Sequence, residues 1–233
     1  MIMESRLPDA VVEAFAELDA AFLSDVLRGL GLRCHTVGLS PLDAGTGVCG
    51  RAVTMRNIPS RDSRAWQTDQ MSLMSLAEHA GSGDVLIVDA GGEPDVTPVG
   101  SNTIRHLQKA GIGGVVIDGA VRDTAEIVEV GLPVLARSRT VASSQGYFRT
   151  TCVNSEPVRV GSIMVAPGDI VVADRDGLVV VPKERAEEVL ELARVRKQAE
   201  ADIQGALASG LTMHSSEVRA IVERMQGATA GTR

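Results

Sequence analysis

Two short apolar runs constrain the fold of this chain more than any other feature. Val85-Leu86-Ile87-Val88 and Val115-Val116-Ile117 are apolar at every position instead of every second one. A strand with one wet face alternates, so a continuous run must be covered on both faces, as in a parallel sheet held between two layers. Between the runs lie a loop over 91–98, a helix-like stretch over 99–110 and the turn 111–114. The whole is a strand, helix, strand unit. A smaller copy follows, with 118–121 read as a turn, 122–130 as a short helix and 132–136 as another strand. In such folds the functional side chains sit beyond the carboxyl ends of the strands.

The flanks have a different pattern. Val12, Phe15, Ala16, Leu18, Phe22, Leu23, Val26 and Leu27 have the spacing of one or two amphipathic helices, stopped by Gly29 and Gly31. The glycine-rich stretch 45–53 lacks the Lys-Ser/Thr ending of a phosphate-binding loop and is better read as a turn entering a strand. A helix is expected over 66–79, with Met71, Met74 and Leu76 filling core. Beyond 150 come shorter segments at 158–165, 170–174 and 178–181, the last two divided by Arg175-Asp176-Gly177, a pattern of antiparallel strands. A long charged helix over 183–208 has Val189, Leu192, Val195 and Ala199 on one side, a face suited to a neighbouring subunit, and 215–225 forms another. No repeat or low-complexity linker divides the chain, so one domain over 1–233 is expected, with helical extensions at about 8–30 and 183–226.

Composition excludes several partners. Aromatics make up 2% of residues, the formal charge is −7 and no block of Lys or Arg stands out, which argues against nucleic acid or an anionic membrane. No apolar run reaches the ~18–20 residues needed to cross a bilayer. Cys34, Cys49 and Cys152 are odd in number and lack CxxC spacing, as expected of structural thiols in a reducing cytoplasm. The four histidines are scattered without ligand spacing. A small anionic substrate remains compatible with all of this.

Arg122-Asp123 is the pair most suited to chemistry, because it follows a buried strand and a glycine turn. An aspartate is a hard oxygen donor for Mg2+ or Mn2+, ions that keep several waters and need few protein ligands. A guanidinium grips a carboxylate or enolate oxygen through paired hydrogen bonds. Two adjacent charges also suit a surface ion pair or a helix start. The expected helix start at Gly100-Ser101-Asn102 adds unpaired N–H groups that favour an anion.

The runs GDVLIVDAGG and AGIGGVVIDGAVRDTAEI, with Gly100 between them, resemble the 4-hydroxy-4-methyl-2-oxoglutarate aldolases and their relatives, the regulators of ribonuclease E activity. Twenty-one residues separate Gly100 from Arg122, and the likeness runs from about Leu18 through Gly210. It implies an α/β fold, a three-layer β/β/α sandwich like the phosphohistidine swivelling domain, in trimers or hexamers with sites between subunits. It implies that Asp123 binds Mg2+, Mn2+ or another divalent ion and that Arg122 holds the keto or enolate oxygen. The N–H groups of Gly100, Ser101 and Asn102 would seat the substrate carboxylate. Glu126 fills the motif's last acidic place. Glu200 aligns with a glutamate that reaches across an interface toward a water on the metal, although read alone it is a solvated helix charge.

One departure matters. These aldolases carry an acidic residue directly after the motif glycine, and Ser101 stands there in this chain. Glu93 and Asp95, otherwise polar loop residues, are the nearby substitutes. The activity implied is cleavage of a 4-hydroxy-2-oxo dicarboxylic acid to pyruvate by a metal-dependent class II aldolase. Oxaloacetate decarboxylation is expected beside it, because it needs the same enolate but no base for a hydroxyl proton. The alternatives are a non-catalytic protein-binding regulator and a lyase for another 2-oxo acid, with loops 57–67 and 93–99 shaping its pocket.

Overall fold

The computed structural model describes residues 6–60, 76, 80–144 and 146–230, with side chains through Met225. The helix expected over 66–79 lies outside the described residues except for Leu76, which is helical and fully buried. The chain begins with helices α1 (Asp9–Ala16) and α2 (Ala20–Gly29), then strands β1 (His35–Thr36), β2 (Ser40–Pro41) and the long β3 (Val48–Pro59). Next come β4 (Val85–Glu93), β5 (Val96–Thr97), helix α3 (Ser101–Lys109), β6 (Gly114–Val121), helix α4 (Thr124–Val130) and β7 (Val134–Arg139). The remaining strands are β8 (Ala142–Ser143), β9 (Phe148–Val153), β10 (Val158–Val160), β11 (Ile163–Val165), β12 (Ile170–Ala173) and β13 (Leu178–Val181). A 3-10 turn, Lys183–Arg185, leads into α5 (Ala186–Ala208), and α6 (Ser216–Ala230) follows.

Strands β3, β4, β6 and β7 pair in parallel, as the continuous apolar runs require, with Ile87 opposite Val116 and Val88 opposite Ile117. The first part of β3 pairs instead with β12, which continues antiparallel to β13 and β1. One strand thus serves two sheets, and the chain folds them face to face. Val85, Ile87, Val116 and Leu135 point into the space between the sheets with Val171, Ala173, Leu178 and Val180. Their neighbours Leu86, Val88, Val115 and Ile117 point the other way, toward Ile104 and Leu107 of α3 and Ile127 of α4. The outer residues of β12 and β13, Ile170, Val172, Val179 and Val181, meet α1, α2 and the start of α5. The β/β/α sandwich is present, and the terminal helices form a further layer over its smaller sheet.

The N-terminal helices follow the expected pattern: Asp19 caps α2 by accepting from Phe22 N–H at 2.7 Å, and Gly31 leaves it at φ +73°. The 170–181 hairpin is antiparallel as expected. Residues 118–121, expected as a turn, instead continue β6 to Val121. Their polar residue is internal. Asp118 is 2% exposed, paired with Arg137, and accepts Gly161 N–H at 2.7 Å. Asp89, its register neighbour on β4, accepts Arg159 N–H at 3.1 Å and faces Arg56 at 3.4 Å. Two carboxylates on adjacent strands therefore clamp the β10–β11 hairpin over the central sheet.

Removing one partner of a buried ion pair strands the other charge. Asp118→Ala should cost about 3 kcal/mol in urea unfolding, and Asp118→Asn, which keeps an acceptor for Gly161 N–H, distinctly less. The partly buried Cys49 thiol offers a second check. Burial pushes it up to about 11, and its Sγ donates to Val12 O at 3.5 Å. Unfolding releases a thiol that ionises near its ordinary value of 9.0, so its stabilising contribution is complete below that pH and is lost as pH rises through about 11. Unfolding curves for Cys49→Ala should show a shallower decline over this window.

Candidate active site

β6 delivers Val121 to the sheet's carboxyl edge, and the next two residues turn sharply into α4. Asp123 makes that turn with φ 58° and ψ 36°, left-handed backbone that a non-glycine residue adopts at a cost of order 1 kcal/mol. Aspartate is one of the few side chains that tolerate it. The turn aims the carboxylate at the start of α3. Its Oδ2 lies 3.3 Å from Arg122 Nε and 3.4 Å from Ser101 N–H.

Gly100, immediately before α3, makes this approach possible. Its backbone is extended, at φ −120° and ψ −178°, and imposes no need for glycine. The need is spatial: a Cβ there would sit 2.9 Å from Asp123 Oδ2 and 3.2 Å from Arg122 Nε. Gly100, Ser101, Arg122 and Asp123 are therefore one cluster. Ser101 is buried, Asn102 faces solvent on the first turn of α3, and the side chains of Arg122 and Asp123 are about one third exposed, 37% and 33%.

The two remaining acidic candidates have other partners. Glu126 lies 3.9 Å from Arg105 across the α3–α4 surface. Glu200 accepts from Arg196 Nε at 3.0 Å on α5, while the same guanidinium reaches Asp25 at 2.6 Å and stacks over Phe22.

Glu93, named from the sequence as a substitute acid, has a partner that the sequence did not suggest, Tyr147. Tyr147 donates its hydroxyl to Glu93 Oε2 at 2.9 Å, and Glu93 Oε1 accepts Asp95 N–H at 3.0 Å. The hydrogen bond to Glu93, followed by minor burial and the charges of Glu93 and Asp95, raises the Tyr147 phenol above its ordinary value. The one signal available was that Tyr147 is the chain's only tyrosine.

The cluster suits a hard divalent cation. Both described contacts of the Asp123 carboxylate fall on Oδ2, leaving Oδ1 as a donor, and the missing side chain at Gly100 leaves room beside it. Among the described residues no three His, Cys, Asp or Glu side chains gather as a metal cage. A single carboxylate matches Mg2+ or Mn2+, which retain waters, and not a closed zinc site.

The family model described as RraA-like, Aldolase/RraA, matches residues 20–180. The chain belongs to the RraA-like family. It is 29% identical over 215 residues to a putative 4-hydroxy-4-methyl-2-oxoglutarate aldolase of Halalkalibacterium halodurans, covering 92% of this chain and 94% of that one. A 4-hydroxy-4-methyl-2-oxoglutarate aldolase of Thermus thermophilus is 36% identical over 115 residues, 49% of this chain and 69% of the relative. Among solved structures, Streptomyces coelicolor RraAS2, an unusual member of the RNase ES inhibitor RraA family, superposes with a TM-score of 0.75 at 30% identity, covering 85% of this chain and 98% of that one. RraA-like relatives thus include proteins named as aldolases and proteins named as ribonuclease inhibitors. Among the described residues no helix is long and apolar enough to cross a membrane.

The left-handed turn can be tested without any substrate. Asp123→Gly and Asp123→Ala both remove the carboxylate, but only glycine relieves the backbone. The glycine variant should be about 1 kcal/mol more stable than the alanine variant in thermal or urea unfolding.

Proposed function

We propose that the Arg122–Asp123 cluster is the centre of a divalent-metal-dependent lyase that cleaves a 4-hydroxy-2-oxo dicarboxylic acid to pyruvate and decarboxylates oxaloacetate. The strained backbone of Asp123 carries this reading. A surface ion pair needs no left-handed aspartate, whereas a carboxylate held against a side-chain-free glycine and beside a guanidinium suits a site for a small anionic ligand. The aldolase names of relatives matching most of the chain support the reaction class.

The chain's own groups account for most of the chemistry. The N–H groups at the start of α3, which has no side-chain cap, that of the exposed residue Asn102 among them, would seat the substrate carboxylate at the positive end of the helix. Arg122 would face the 2-oxo oxygen, where negative charge collects as the bond between C3 and C4 breaks. Asp123 would hold Mg2+ or Mn2+ through Oδ1. When bound, that ion supplies Lewis-acid polarisation of the 2-oxo group. Ser101 would help fix the carboxylate of Asp123 through its N–H, while Glu126 would stay at the exposed α3–α4 surface beside Arg105. Glu200 has a side chain 40% exposed on α5, which supports a role toward a neighbouring chain in a homotrimer or hexamer.

The likeness to RraAS2 favours a second reading, a protein-binding regulator without turnover. One assay separates the two. Pyruvate release, coupled to a dehydrogenase, is measured with 4-hydroxy-4-methyl-2-oxoglutarate and with oxaloacetate. Both substrates should yield pyruvate with Mg2+ or Mn2+, and a chelator should stop it until metal is restored. Arg122→Lys keeps the charge but loses the planar fork, so kcat/KM should fall about 100-fold. Absence of metal-dependent pyruvate from both substrates would overturn the lyase reading in favour of the regulator.

A further inference from the structure

Cleavage at C3–C4 requires the 4-hydroxyl to give up its proton, and among the described residues the cluster of Gly100, Ser101, Arg122 and Asp123 offers no base besides the Asp123 carboxylate. The carboxylate of Asp123 is held by Arg122 and Ser101 N–H, and the side chain after Gly100 is a hydroxyl. The same edge of the sheet carries a second acid–base pair. After Asp89 the β4 strand bulges at Gly91 and Gly92, both left-handed at φ +67° and +76°, and rejoins the ladder with Glu93 opposite Gly119 of β6. Bulges of this kind re-aim a side chain at a strand end. Gly119 stands four residues before Asp123.

Cross-ties hold this segment to the strand that delivers Arg122. Thr140 donates its N–H to Val121 O at 2.9 Å and its hydroxyl to Asp95 O at 2.5 Å. From Glu93 the chain runs through β5 to Gly100, so a single fastened segment links Glu93 to the cradle of Asp123. Glu93 is half-buried, whereas Tyr147, whose hydroxyl it holds, is 39% exposed and open to a solute.

We propose that Tyr147 and Glu93 are the acid–base pair of the cleavage step, with Tyr147 touching the substrate's 4-hydroxyl and Glu93 acting through it. The inference rests on the lyase reading. The phenolic oxygen accepts the 4-hydroxyl proton while the phenolic proton passes to Glu93 Oε2. The C3–C4 bond breaks, C4 becomes a carbonyl carbon, and the bonding pair becomes the enolate of pyruvate. The enolate takes a proton from solvent at C3, and Glu93 returns its proton to solvent. The hydrogen bond from the Tyr147 hydroxyl to Glu93 Oε2 at 2.9 Å gives the phenolic proton a direct path as the phenolic oxygen takes up the substrate's. Decarboxylation of oxaloacetate has no hydroxyl proton to remove and does not call on the pair.

The test compares the two reactions in Tyr147→Phe and Glu93→Gln, using the full chain with Mg2+. Phenylalanine keeps the ring that meets Phe148 edge-on at 5.0 Å, and melting curves check that both variants fold. For 4-hydroxy-4-methyl-2-oxoglutarate, kcat should fall about 100-fold in each, and for oxaloacetate by a far smaller factor. Equal losses for both substrates would mean a structural role, and an unimpaired cleavage rate would remove the pair from the reaction. Either result overturns the inference, as does a wild-type protein that decarboxylates but never cleaves. Failure of both reactions in the wild type would instead bring down the lyase reading itself.

Discussion

Burial of both faces of the parallel strands β4 and β6 is the constraint on which the rest of the structure depends. Each of Leu86, Ile87, Val88, Val115, Val116 and Ile117 is fully buried, alternate side chains entering opposite cores. At roughly 25 cal/mol per Å2 of apolar surface, each such side chain contributes about 1.5–3 kcal/mol, which makes these strands the least movable part of the molecule. Polar groups have no place along such a strand unless they are paired. They appear paired under cover at Asp89 and Asp118, and then at Glu93, Arg122 and Asp123, where the strands run out of cover.

The two groups of carboxylates have opposite surroundings. Asp89 and Asp118 are nearly inaccessible, and each has a guanidinium and a hairpin N–H as partners, so their charge is spent on holding β10–β11 in place. Asp123 is one third exposed, has its described contacts on Oδ2, and sits on strained backbone. A group that served only stability would relax out of that conformation or complete its hydrogen bonds. The rigid strand beneath it is what allows the strain to persist.

Much of this was legible in the sequence, for identifiable reasons. Continuous apolar runs separated by a helical period determine a parallel unit, and the 170–181 segment with its Arg175-Asp176-Gly177 turn determines an antiparallel one. The clustering of Gly100, Ser101, Arg122 and Asp123 was implied chiefly by the resemblance to the aldolases, to which a helix start beside a strand end added local support. The extension of β6 through Val121 was not legible, because Asp118-Gly119 looks like a turn until the hairpin that satisfies Asp118 is known. The reason for glycine at position 100 was equally hidden, since it lies in a carboxylate arriving from the next strand and not in local backbone. Tyr147 and Glu93 are far apart in the chain, and nothing in spacing or periodicity links them.

This edge can tolerate Ser101 because of how it is built. In a site built from one strand end and one helix start, the residue after the glycine is close to the carboxylate of Asp123 and is a natural place for a second acid. Here that residue is 5% exposed, and its N–H already contacts Asp123. A second carboxylate packed there would have to offset both desolvation and repulsion from Asp123. An acid reached through the bulge of β4 avoids both costs: Glu93 is satisfied by Asp95 N–H and Tyr147, while the phenol extends its reach toward solvent. The sharp left-handed glycines at 91 and 92 are what make such a detour possible in a strand otherwise committed to the core.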